Sequence, residues 1–232
     1  MSCVLGIDTA TAVLSMAVVG KDGLLAEQSA LGERLHSVRL IPLIQDLLAG
    51  AGITLRELDG IAVSIGPGSF TGLRLGLITA KTLAQVLGLP VVGIPTLLAL
   101  AAPLATGGVP VCPVLTSRRD EVYAAVYRAN GQDIEAVVSP FASPPSGVSE
   151  RLASFRRIIL TGEGAWAFRD HFREILQNKA VLVPGIYSHP RGAVVADLGL
   201  KELTAGRGTD AFSLIPEYLR PPAVTGGFRR EG

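Results

Sequence analysis

Three apolar runs joined by two short links open the chain, and they restrict the fold more than anything downstream. CVLGID at 3–8 reads as a strand, TATA as a tight link, and VLSMAVVG at 13–20 as a second strand. KDG at 21–23 is a hairpin turn signal, and LLAEQSAL at 24–31 follows as a third strand. Links this short allow only antiparallel pairing, because a parallel return needs a crossover of about a dozen residues or more. The periodicity then changes. A helix is expected from about Ser37 to Ala49, with Ser37 as its N-cap and Pro42 within its first turns. GIAVSIG at 60–66 is a short apolar strand, Phe70 to Leu87 a helix, PVVGI at 90–94 a buried strand, and TLLALAAPLA at 96–105 another helix.

The order β-β-β-α-β-α-β-α describes a meander followed by right-handed crossovers, hence a mixed sheet with helices on its faces. That is the ribonuclease-H-like half-unit of the two-lobe actin-like, Hsp70-like (ASKHA) α/β class. A plain Rossmann chain would begin β-α-β instead. A proline- and glycine-rich break at 103–110 divides the chain into an N-terminal lobe, 1–105, and a smaller second lobe with its exit segment, 106–222. In the second lobe Asn130-Gly131 marks a hairpin, FRRIILTGEGAWAFRDHFREIL reads as strand, glycine turn and helix, and 190–204 as a helix. IPEYLRPP at 215–222 is expected to leave the body, and 223–232 to form a disordered tail.

Hydrophobic residues make up 48% and charged ones 18%, which supports a substantial core. The net charge is +1 with no basic stripe, so the chain alone is a poor grip for nucleic acid. The pairs Arg118-Arg119, Arg156-Arg157 and Arg229-Arg230 read as solvated surface. No charge occurs between Lys81 and Arg118, but five prolines interrupt that span and argue against a membrane helix. Cys3 and Cys112 lie in strand-like runs without metal spacing and read as reduced thiols. The N-terminus has neither a basic segment nor a long apolar one, and the protein is expected to be cytoplasmic.

GPGSFTGLRLG, 66–76, lies between a strand and a helix, where anion-binding loops occur. The specific codes fail. A Walker loop lacks its Lys here, and a G-x-G-x-x-G match puts Thr71 where the third glycine belongs. The helix it opens carries Gly72, Gly76, Ala80 and Ala84 at four-residue intervals, a ridge small enough for another backbone to approach closely. Leu73, Leu75, Leu77, Ile78, Leu83 and Leu87 cover much of the rest. So apolar a helix buries a second face as well, either inside its own lobe or against a partner, and the pattern leaves both open. The helix with Leu40, Ile41, Leu43, Ile44, Leu47 and Leu48 poses the same choice.

The chain resembles the TsaB (YeaZ) family from end to end. The pieces that carry the resemblance are GIDTAT, HSVRLIPLIQDLL, GPGSFTGLRLG, SRRDEVYAA and PEYLRP. It implies a non-catalytic subunit that binds and activates the paralogue TsaD and meets the small ATPase TsaE. Together these transfer a threonylcarbamoyl group to N6 of an adenosine in transfer RNA (t6A). It further implies a partner-binding surface on the two first-lobe helices, at His36, Leu40, Leu43, Ile44 and Leu47 and at Phe70, Gly72, Leu73, Arg74, Gly76, Leu77 and Ala80. The same surface would serve a homodimer when the paralogue is absent. No intrinsic cofactor is implied, and whether ATP is shared at an interface of the complex stays open. The paralogue's H-x-x-x-H metal pair corresponds to Thr96 and Leu100, which cannot replace it, and the chain's histidines, His36, His171 and His189, are widely spaced. One departure is Thr116, where the family usually has Asp.

Asp8 and Thr9 stand at the turn that touches phosphate or its Mg²⁺ in the actin-like class, so they are candidates for a nucleotide contact. The competing reading is an Asx-turn closing a hairpin. A second-lobe phosphate loop would have to be LTGEGA, 160–165. That combination defines the rival function, an active nucleotide-dependent phosphotransferase or ATPase. A homodimeric scaffold outside RNA modification is a third reading.

Overall fold

The structure, a computed structural model, describes residues 3–31, 36–118 and 120–219, with the backbone alone for 36–39. Its first sheet contains β1 (Cys3–Asp8), β2 (Val13–Gly20), β3 (Gly23–Leu31), β4 (Gly60–Gly66) and β5 (Val91–Pro95), in the order β3-β2-β1-β4-β5. β1 pairs antiparallel with β2, Asp8 opposite Ser15, and parallel with β4, Ile7 opposite Val63. The opening meander thus sits beside parallel crossover strands, as the actin-like class requires. Helices α1 (His36–Ala51) and α2 (Phe70–Leu87) cover one face, and α3 (Thr96–Ala101) leads out of β5. Leu5, Ile7, Leu14 and Met16 pack there against Leu40, Ile44, Leu47 and Leu77. α3 is shorter than the expected 96–105: after Ala101 the chain passes into turns before Gly108, whose φ is +72°.

The second sheet contains β6 (Val111–Thr116), β7 (Val122–Asn130), β8 (Asp133–Ser143), β9 (Ile158–Thr161) and β10 (Ala180–Leu182), in the order β10-β9-β6-β7-β8. Gly131, at φ +65°, closes the β7–β8 hairpin where Asn130-Gly131 is expected. Helices α4 (Pro145–Leu152), α5 (Glu163–Ala167) and α6 (Arg169–Leu176) follow within this lobe.

Helix α7 (Gly192–Thr204) then returns to the first sheet and packs on the face opposite α1 and α2. Helix α7, within the expected second lobe, therefore lies against the first sheet. The return is so close that it leaves no room for side chains at the contact. A Cβ on Gly6 would strike the backbone of Gly192 and Ala196, and one on Gly192 would strike the Met16 backbone. The sheet also caps the helix. Ser15 Oγ accepts from Gly192 N at 2.8 Å, and Glu27 Oε1 accepts from Ala193 N at 3.2 Å, while Glu27 pairs with Arg191.

The sequence reading sends IPEYLRPP away from the body, and the structure corrects it as far as Leu219. Residues 209–219 form a strap along the first lobe. Thr209 exchanges backbone hydrogen bonds with Val91 at 2.9 and 3.0 Å. Leu214 is buried in the α1/α2 core, and its carbonyl accepts from Lys81 Nζ at 3.0 Å. Glu217 N donates to Ile65 O at 2.8 Å. The expected tail, 223–232, lies outside the described residues. Among the described residues no helix is long and apolar enough to cross a membrane.

Candidate docking face and the turn beneath it

The glycine-rich stretch serves the inside of the lobe. Ser69 caps α2, its hydroxyl accepting from Gly72 N at 3.3 Å, while its own N–H donates to Ala10 O at 2.7 Å. Thr9 Oγ1 donates to Gly72 O at 2.8 Å. The β1–β2 turn is therefore seated on the first turns of α2. A Cβ on Gly68 would strike the Ala10 carbonyl, one on Gly72 the Thr9 carbonyl, and one on Gly76 the Thr9 hydroxyl. Gly72, Gly76, Ala80 and Ala84 are all buried on this inner side. The small-residue ridge thus lets α2 approach its own turn and sheet, not another molecule.

Asp8 and Thr9 lie beneath that contact, both fully buried. The Asp8 carboxylate accepts from Ala10 N at 3.3 Å, an Asx-turn, and from the Ser64 hydroxyl on β4. Burial pushes its pKa from 3.8 up to about 7, against the pull of those two hydrogen bonds. Neither residue presents a polar atom to solvent, so as the chain stands they brace the turn.

Of the residues expected to bind a partner, Leu40, Ile44, Leu47, Leu73, Leu77 and Ala80 are in the chain's own core, together with Gly72 and Gly76. Leu43 is half-buried, and the side chain of His36 lies outside the described residues. Phe70 and Arg74 face outward. They begin an exposed row on α2 that continues to Ile78, 63% exposed; Val86, 77% exposed, lies near the far end of the helix, and Ile41 of α1 is 46% exposed. Phe70, Arg74 and Ile78 recur at four-residue spacing, so they share one helix face. The Arg74 guanidinium lies over the Phe70 ring at 3.8 Å, and the Tyr218 ring of the strap meets Phe70 at 5.6 Å. Ile41, Ile78 and Val86 are missing from the sequence-based site because composition alone does not separate the two faces of so apolar a helix. Tyr218 lies in the PEYLRP piece, but that motif does not say what the ring meets, since its place depends on the strap.

In the second lobe, Gly162 and Gly164 press against the backbone of β6 at Val114 and Leu115. Between them stands Glu163, the first residue of α5, whose Oε1 accepts from Thr116 Oγ1 at 2.6 Å. A carboxylate thus occupies the loop that the rival reading needs for phosphate. His189 Nδ1 is 3.4 Å from Thr11 Oγ1 across the seam between the lobes, and burial pushes its pKa down while nearby Glu163 opposes this. Thr96 and Leu100 are buried. The described residues contain no cluster of three or more His, Cys, Asp or Glu able to hold a metal.

The family model for TsaD, tRNA N6-adenosine threonylcarbamoyltransferase, matches residues 26–180. The tRNA threonylcarbamoyladenosine biosynthesis protein TsaB of Bacillus subtilis is 30% identical over 218 residues, 94% of this chain and 93% of that one. The chain belongs to the TsaB (YeaZ) family of t6A biosynthesis. YeaZ from Pseudomonas aeruginosa, at 29% identity, superposes with a TM-score of 0.81 over 94% of this chain and all of its own. Component A of the (R)-2-hydroxyglutaryl-CoA dehydratase of Acidaminococcus fermentans shares the fold alone, at 10% identity and a TM-score of 0.54. At Thr116, where the resemblance led to an expected Asp, the hydroxyl donates to Glu163, whereas an aspartate would set two carboxylates against each other.

Proposed function

We propose that this TsaB-family chain is the scaffold and dimerisation subunit of the t6A synthesis complex, binding and activating a TsaD-type catalytic paralogue without transferring the group itself. The observation that supports this is the outer row on α1 and α2. Ile78 leaves aliphatic surface in water one turn beyond Arg74 of the Phe70–Arg74 pair, and Ile41 and Val86 are exposed elsewhere on the two helices; apolar and arginine contacts of this kind are found at the centre of protein interfaces. The same row would join two copies of this chain when the paralogue is absent, so the two associations compete. A TsaE-type ATPase and transfer RNA join through the complex, and any ATP is held at an interface within it.

The test is Ile78→Asp. At 63% exposure the substitution leaves the lobe folded but puts a charge into the contact. Association with the paralogue, followed by titration and coelution, is expected to weaken at least about tenfold, equivalent to about 1.4 kcal/mol. Unchanged coelution of the folded variant would reject this surface. Tight Mg-ATP binding by the isolated chain in calorimetry would favour the phosphotransferase reading instead.

A further inference from the structure

We infer that the strap, residues 209–219, positions the docking face: Tyr218 holds the Phe70 ring, and through it the Arg74 guanidinium, in the arrangement that the catalytic paralogue binds. The inference rests on the docking reading of α2 and adds to it a third element, remote in sequence from both helices.

The strap is fastened along its length up to the residue before Tyr218. Thr209 is tied to β5 by two backbone hydrogen bonds, Leu214 is buried in the core, and Lys81 of α2 itself donates to the Leu214 carbonyl. Glu217, the residue before Tyr218, donates its N–H to Ile65 at the end of β4. Gly66 makes that approach possible, since a Cβ there would strike the Glu217 carbonyl oxygen. Its φ of +123° is also a conformation that other residues rarely adopt. The first glycine of the glycine-rich stretch therefore admits the strap, just as Gly72 and Gly76 admit the β1–β2 turn.

What the strap delivers is a second ring. Phe70 is the first residue of α2, is 37% exposed, and meets the Tyr218 ring on its way to solvent. Among the described residues no carboxylate pairs with Arg74, and its one specific contact is the Phe70 ring. A single exposed cation–π contact is weak. Tyr218, packed at 36° against the opposite partner of that contact, restricts Phe70 and hence the guanidinium. Tyr218 is itself 38% exposed, so the three-membered stack adds little to core burial. Its effect falls on the conformational freedom of two side chains on the docking face, which would otherwise be lost on binding.

The test uses Tyr218→Ala, Tyr218→Phe and Arg74→Ala in the full chain. In the isolated protein, the Arg74 side-chain protons should be shifted upfield by the ring below them, and Tyr218→Ala should move them toward unstructured values while Tyr218→Phe should not. Affinity for the TsaD-type paralogue should fall about tenfold in Tyr218→Ala and stay within about twofold in Tyr218→Phe. In a double-mutant cycle, Tyr218→Ala should add almost nothing to the loss caused by Arg74→Ala. Arg74 resonances that do not move in Tyr218→Ala, or losses that simply add, would overturn the inference. If Ile78→Asp abolishes association and Tyr218→Ala binds like wild type, the strap inference alone falls. If Ile78→Asp binds like wild type, the docking reading falls and takes the inference with it.

Discussion

The buried carboxyl of Asp8 makes stability depend on pH in a direction opposite to that of an ordinary ion-paired aspartate. Its pKa is about 7 when folded against 3.8 without burial, so between those values the folded chain holds a proton that the unfolded chain has lost. Unfolding releases that proton, and stability therefore falls as pH rises from about 4 to about 7, then stays level with respect to this group. A difference of about 3 pKa units at about 1.4 kcal/mol each makes the loss about 4 kcal/mol at neutral pH and above. Asp8→Asn removes the charge and keeps an acceptor for Ala10 N and a polar group for Ser64. Urea unfolding of both proteins at steps between about pH 4 and pH 8 should show the variant gaining on wild type by about 4 kcal/mol, nearly all of it below about pH 7. A difference between the two that does not change across this range would refute the assignment of a buried, largely protonated carboxyl. A difference that grows with acidification would mean that Asp8 is held ionised by a partner.

Two further expectations concern close approaches. Gly72→Ala should cost about 1–3 kcal/mol of global stability in urea unfolding, because the new Cβ meets the Thr9 carbonyl; a stable variant that merely loses its partner would put the glycine ridge back on the outside. Ser15→Ala should leave Gly192 N without its acceptor and cost about 1 kcal/mol, with faster amide exchange confined to the first turn of α7; unchanged exchange there would refute the cross-sheet cap.

Much of the first lobe is legible in the sequence because its determinants are local. Two links too short for a crossover dictate the β1–β2–β3 meander, and Asn130-Gly131 does the same for the β7–β8 hairpin. Periodicity identifies α2 to the residue, and the failed nucleotide codes correctly direct attention to packing around Gly72 and Gly76. What the ridge packs against was not legible. A row of small residues reports that something comes close, and only the fold reveals that it is Thr9 and Ala10 of the same chain. The outward row at Phe70, Arg74 and Ile78 was hidden for a related reason, since leucines cover both sides of α2 and hydropathy does not say which side the sheet takes.

The sequence by itself therefore determined the order of elements in the first lobe, the actin-like class and the family, all of which rest on short-range spacing and on motif residues read in line. Tertiary structure alone decided the use of those elements. It returned α7 to the first sheet through glycines at positions 6 and 192, and it buried Asp8 under the turn that α2 receives. It also carried Tyr218 across more than a hundred residues of chain to Phe70. These are contacts between segments far apart in sequence, fixed by close packing and hydrogen-bond satisfaction over the whole molecule, and no local pattern encodes them.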